Sequence, residues 1–141
     1  MSNEAVTIEL FGEGGSKGRP IRYTCADGAS ISKGTLLKLT DPRTVSASSA
    51  AGEIFAGIAA ADKLANDGST NLAVWTDGIF DLQCNGSAIT AGQAVVLSGA
   101  NLIRPVLATD TQLISSCVII GQALESTSAG TAEAINVRIN C

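Results

Sequence analysis

The side chains of this sequence that could do chemistry are carboxylates and thiols. There is no histidine, which excludes Ser-His and Cys-His nucleophile pairs and the commonest metal ligand. The densest acidic cluster is Asp62, Asp67, Asp77 and Asp81, and two such groups could serve as general acid and base. Yet Asp67 and Asp77 each precede a glycine, where aspartate is favoured for turn geometry alone, and strand alternation puts Asp81 on a solvent face. The run NDGST fails as a calcium loop, because Lys63 and Ala65 fall where oxygen ligands are needed. GEGGSKG has glycines and a lysine without phosphate-loop spacing, and reads as a linker. Cys25, Cys84, Cys117 and Cys141 form no close pair of metal ligands, so they are expected as thiols acting as small buried hydrophobes. No catalytic residue, metal site or cofactor is expected.

The elements that would carry these residues show a repeat. IRYTC (21–25), FDLQC (80–84) and VRINC (137–141) share a pattern of apolar, charged, apolar, polar and cysteine residues. On a strand, alternate residues share a face, so Ile21, Tyr23 and Cys25 form one apolar row, Phe80, Leu82 and Cys84 another, and Val137, Ile139 and Cys141 a third. After the first two signatures come ADGASISKGTLLKL and NGSAITAGQAVVL, aligning Ile31 with Ile89, Gly34 with Gly92 and Leu39 with Leu97. Further on, Gly57 answers Gly121 and Gly68 answers Gly130. The chain therefore reads as two copies of a unit of about 58 residues, too few for a solenoid. Two such units close most economically as an all-β small barrel or sandwich, with the last strand near the first.

Residues 1–20 read as an N-terminal arm separate from a single β domain at 21–141, whose pseudo-repeats cover about 21–84 and 80–141. The arm contains the alternating AVTIELF, with Val6, Ile8 and Leu10 on one face. Strands are expected at 21–25, 35–40, 54–61, 71–76, 79–84, 93–98, 117–124 and 134–140, with turns at Asp27-Gly28, Asp67-Gly68, Asp77-Gly78 and Asn85-Gly86. Asp77-Gly78 is the strongest hairpin signal. Residues 46–52 and 107–116 could each be a loop or a short helix. Trp75 should face outward from its strand, under a loop or against a neighbouring subunit.

Composition agrees. The chain is 45% hydrophobic but only 4% aromatic, with 15 glycines, which suits many short strands and tight turns. A net charge of −4 with nine basic residues and no basic run argues against nucleic acid. No stretch has the length of a membrane span or a signal peptide, so a soluble intracellular product, unless released by lysis, is expected.

In order and spacing, DGASISKGTLLKL, IFAGIAAADKLANDGSTNLAVWTDGIFDL, GSAITAGQAVVL, IIGQALESTSAG and INVRI closely resemble the head decoration, or capsid cement, proteins of tailed bacteriophages and related viruses, over about residues 21–140. The resemblance implies a structural virion protein: a β-rich homotrimer on the outer surface of an expanded capsid, bridging and stabilising neighbouring major capsid proteins. It places capsid binding on the arm at Val6, Ile8, Leu10 and Phe11, through strand addition to a capsid-protein edge. The other reading of the arm makes it the first strand of its own barrel. The alternative function is a carbohydrate- or host-surface-binding β module, for which the sequence offers few aromatic residues.

Overall fold

The computed structural model describes residues 4–9, 20–106, 119–130 and 133–140. Eleven strands run in order: β1 (Val6–Glu9), β2 (Ile21–Thr24), β3 (Leu36–Asp41), β4 (Thr44–Ala47), β5 (Phe55–Ala59), β6 (Asn71–Trp75), β7 (Asp77–Cys84), β8 (Ala94–Gly99), β9 (Leu102–Pro105), β10 (Ile119–Ala123) and β11 (Ala134–Asn140). They close into two five-stranded barrels of identical connectivity. The first has the order β2-β4-β3-β5-β6, and the second β7-β9-β8-β10-β11, with β1 added to the outside of β7. Each barrel closes through a parallel pairing at the end of its first strand: Thr24 with Thr44, and Gln83 and Cys84 with Leu102 and Ile103. The isolated bridges Ile31–Lys63 and Ile89–Thr127 also correspond. The all-β repeat expected from the sequence is therefore present, but its closure differs from the single barrel expected: each repeat closes on itself, and the last strand β11 pairs with β7 and β10, not beside β2.

Equivalent positions fill equivalent interiors. Cys25, Ile31, Leu37, Val45, Ala56, Ala59, Leu72 and Val74 form the core of the first barrel. Cys84, Ile89, Val95, Ile103, Ile120, Ala123, Ile135 and Val137 occupy the matching places in the second. On β7 the alternation is strict, with Gly78, Phe80, Leu82 and Cys84 buried, as period-2 patterning requires. β5 is buried at every residue, because its second face meets the other barrel. Gly57 and Gly121 are needed where β5 crosses β6 and β10 crosses β11. A Cβ at Gly57 would reach the Trp75 carbonyl oxygen at 2.5 Å, and one at Gly121 would fall on the Arg138 carbonyl.

The barrels meet along an apolar seam. Leu36, Phe55, Ile58 and Trp75 of the first pack into one cluster with the interior of the second, and the rings of Trp75 and Phe80 lie 5.5 Å apart. Polar ties bracket the seam. The backbone N–H of Leu36 donates to Asn101 Oδ1 at 2.9 Å, that of Asn101 donates to Ser48 Oγ at 3.1 Å, and that of Gly52 donates to the Leu97 carbonyl at 3.0 Å. Asn101 takes a left-handed turn conformation (φ 58°) while almost wholly buried, a geometry asparagine tolerates better than most residues. The 48–53 turn is held by Glu53, whose carboxylate accepts from the backbone N–H groups of Ser49 and Ala50 and from Lys38 Nζ at 2.6 Å. Partial burial works against its charge, but these hydrogen bonds outweigh it and bring its pKa down to about 2.

Three sequence expectations are corrected. Asp77-Gly78 is not a hairpin turn: both residues lie in β7, opposite Asn140 and Ile139, while β6 pairs with β2 and β5. The dipeptide instead carries the chain from one barrel into the other. Trp75 does lie beside a turn, with Lys33 Nζ 5.6 Å from its ring centre, but what mainly buries it is the second barrel, which packs on the outward side of its strand. Residues 44–47 form β4, so the segment 46–52 starts in a strand, and β9 also went unforeseen; both strands are four residues long and carry little periodic signal. Residues 107–116 lie outside the described residues.

Two measurements check this account. Gly57→Ala or Gly121→Ala should each cost more than about 2 kcal/mol, since backbone must move, whereas Gly130→Ala, with nothing near its Cβ, should cost only the roughly 1–2 kcal/mol of a left-handed residue; denaturant melts decide. Glu53, with its folded pKa below the unfolded value, stabilises fully above about pH 4.5 and loses that contribution as pH falls toward 2. The Tm gap between wild type and Glu53→Gln should therefore be widest near pH 7 and close progressively below pH 4.5.

Candidate functional site

The acidic and thiol groups do not assemble a reaction centre. Asp62 Oδ1 accepts the backbone N–H of Lys33 at 2.6 Å, and Asp27 Oδ1 accepts that of Gly68 at 2.8 Å. Asp67 Oδ1 accepts from the Ser69 N–H at 2.9 Å and from Lys63 Nζ at 3.2 Å, and the Ser69 bond is the main cause of its lowered pKa. Asp77 and Asp81 sit on β7, in the other barrel. Asp27, Asp62 and Asp67 hold turns. Burial raises the Cys25 thiol and pushes Cys84 up to about 11, so both are poor nucleophiles; Cys117 and Cys141 lie outside the described residues. Among the described residues, no three His, Cys, Asp or Glu side chains converge as a metal site.

Lys63 was not singled out in the sequence, yet only 3% of its surface is exposed. Its ammonium donates to the carbonyls of Asp27 (2.7 Å), Leu64 (3.0 Å) and Ala29 (3.3 Å) as well as to Asp67. It ties the two loops at one end of the first barrel, and its counterpart Thr127 does the same more weakly through Oγ1 to the Ser87 carbonyl. The spacing of Lys63 and Asp67 was the available signal. This is an internal brace with its donors used inward.

What the molecule offers outward is a strand edge. β1 runs antiparallel to β7, with Val6 opposite Asp81, Thr7 opposite Phe80 and Glu9 opposite Ile79, and an irregularity between Thr7 and Glu9. Over these residues the arm is therefore a strand of the protein's own sheet, not a separate segment. It also reaches the first barrel: the Ala5 N–H donates to the Gly34 carbonyl at 2.8 Å, and a Cβ on Gly34 would meet Ala5 O at 2.6 Å. Ala5 packs on the seam cluster, and Lys33 Nζ lies 5.6 Å from the centre of the Trp75 ring. β1 thus straps both barrels.

In the strand order β1 is terminal, so its second edge carries no strand among the described residues. The irregularity breaks strict alternation, and Val6 (58%), Thr7 and Ile8 (49%) are all exposed. Leu10 and Phe11 lie outside the described residues. Two further apolar groups stand out against their counterparts: Ile21 is 42% and Leu39 39% exposed, whereas Phe80 and Leu97, their equivalents in the second repeat, are fully buried at the seam. The first apolar row read from the sequence is thus only partly internal, since burial falls on Cys25 and, in part, on Tyr23.

Comparison with known proteins fits this picture. The family model for phage cement proteins matches residues 15–139, a span beginning after β1. No curated protein matches. Among solved structures, the chain is similar to the gp8.5 N base of the head fiber of bacteriophage phi29, with a TM-score of 0.51 and 15% identity, covering 86% of this chain and 93% of that one; at that identity the likeness concerns the fold. Matched by the family model over nearly all of its two-barrel body, the chain belongs to the phage cement proteins and is a structural protein associated with the viral capsid.

Proposed function

We propose that this protein binds the outer surface of an expanded capsid as a homotrimer and stabilises the shell by bridging neighbouring major capsid proteins. The observation that carries the reading is β1: a strand at the edge of its sheet, exposing Val6 and Ile8 on a protein of a capsid-cementing family. Unpaired backbone edges bind other chains by strand addition. Val6, Ile8, Leu10 and Phe11 are the contact residues on this reading, with 1–20 as the binding arm and 21–141 as the body. Burying a Val or Ile side chain gains roughly 1.5–3 kcal/mol, so one arm binds weakly. Three arms on one trimer raise the effective concentration and hold firmly, and a ligand that binds only the expanded lattice stabilises it by linkage.

A glycan platform needs exposed aromatic faces. Phe55, Trp75 and Phe80 are buried and Tyr23 is part-buried, which favours the capsid reading over a carbohydrate- or host-binding module.

The test is co-sedimentation with purified expanded capsids. Wild type should saturate near one copy per capsid subunit. Val6→Lys with Ile8→Lys should stay close to the wild-type Tm, since both side chains are largely exposed and a lysine at position 6 faces Asp81, while lowering capsid affinity at least 100-fold; full occupancy by this variant would refute the contact assignment.

A further inference from the structure

The two repeats do not end their first strands alike. On β7, the edge ahead of the parallel closure is covered by β1 at residues 79–81. The matching edge of β2 lies ahead of the Thr24–Thr44 bridge, and among the described residues no strand pairs with it there. One side chain caps it: Arg43, in a left-handed turn (φ 49°), donates through Nη2 to the Arg22 carbonyl at 2.7 Å. Since the Thr24 N–H also turns to that side, toward the Arg43 carbonyl, strand alternation directs the backbone groups of Arg22 outward. Arg22 is the counterpart of Asp81, which faces Val6 of β1 across the equivalent edge.

We infer that the outer edge of β2 at residues 20–23 is a second strand-accepting site, and that its occupant is an extended segment of the capsid protein with carboxylates flanking alternating apolar residues. Three observations carry this. The fold itself shows how such an edge is filled, because β1 lies on the equivalent edge of β7; Pro20, where β7 has Ile79, gives no N–H, so the Arg22 N–H is the backbone donor that the edge offers an incoming strand. The chemistry of the edge has changed sign: where β7 carries Asp81 and Asp77, β2 carries Arg22, with Arg43 of the β3–β4 turn reaching over it and Asp41 at the end of β3 the nearby carboxylate. Ile21, 42% exposed where Phe80 is buried, supplies an apolar contact beside the arginines. A second copy's β1 is the weaker candidate: each chain has two such edges and one β1, so moving that strand to a neighbour only uncovers another β7. Arg43 must swing off the Arg22 carbonyl for a strand to enter, and its guanidinium is then placed to meet an incoming carboxylate. The identity of the occupant rests on the capsid-binding reading above; the existence of the site does not.

The probe is a synthetic amidated peptide, NEAVTIELF, the sequence of residues 3–11, which carries the strand that fits the twin edge together with flanking glutamates. It should bind the free full-length protein at one site, weaken as salt is raised, and lose at least 10-fold in affinity to Arg22→Glu with Arg43→Glu. The charge-reversed peptide NKAVTIKLF should bind wild type at least 10-fold more weakly, a result independent of any variant's folding. On expanded capsids the double variant should lose at least 10-fold in affinity; Arg22→Glu alone should account for part of that loss, while Arg138→Glu, the same single charge reversal at an exposed residue of β11, should cause none. Failure of either peptide to behave in this way overturns the edge site. Peptide results as expected, with capsid affinity unchanged in the double variant, overturn the capsid protein as occupant. Wild type that ignores capsids overturns the capsid reading itself, and the peptide arm still decides the edge.

Discussion

The constraint on which this structure turns is that the first strand of each repeat is paired along only part of one edge. Its barrel is closed by a parallel contact at the strand's far end, and the residues before that contact expose backbone donors and acceptors on one side. An open edge is a standing invitation to another chain. The molecule answers it twice, with a strand at β7 and with an arginine at β2. β1 sits against acidic β7 although its own flanks are acidic, so charge does not hold it there. Covalent attachment does, by keeping its local concentration high, together with the contact of Ala5 on Gly34 and the seam.

The same asymmetry explains why duplicated sequence gives two unequal halves. The interiors correspond residue for residue, but one barrel must present an outer face to the other. Leu36, Phe55, Ile58 and Trp75 provide it, and the equivalents in the second barrel, Ala94, Ile119, Gln122 and Arg138, are smaller or more polar. This limits stacking to two barrels, because a third would meet Gln122 and Arg138. On the opposite side, Ile21 and Leu39 stay exposed where Phe80 and Leu97 are covered. Apolar surface is thus left on the first barrel's free side and on β1, as well as at Ile54, Leu64 and Leu124.

Much of the fold was legible in the sequence because the repeat and the period-2 rows report directly on which face is buried. The repeated signatures located most strands of both halves, but not that each half closes into a barrel of its own; 54–61 was legible as a strand, though not as one covered on both faces. What failed were the places where the two barrels meet. Asp77-Gly78 carries the local chemistry of a hairpin, but the Trp75–Phe80 seam and the pairing of β7 with β11 override it. Trp75 has outward parity, and sequence alone does not say that the outside of one barrel is the inside of a seam. Arg43 and Lys63 were missed for a related reason: their roles depend on carbonyls of Arg22, Asp27 and Ala29, which are distant in sequence and invisible to pattern. The apolar residues of β1 proposed for capsid contact were legible as an alternating run, though not the irregularity that exposes Val6, Thr7 and Ile8 together.

The account's central claim is that capsid contact is made through strand edges, and amide hydrogen exchange of the full-length protein, free and bound to purified expanded capsids, tests it most directly. It predicts new protection concentrated at residues 6–9 and 20–24, with the loops braced by Lys63 at the far end of the first barrel unchanged. Protection confined to those loops, with β1 and β2 exchanging as in the free protein, would contradict it.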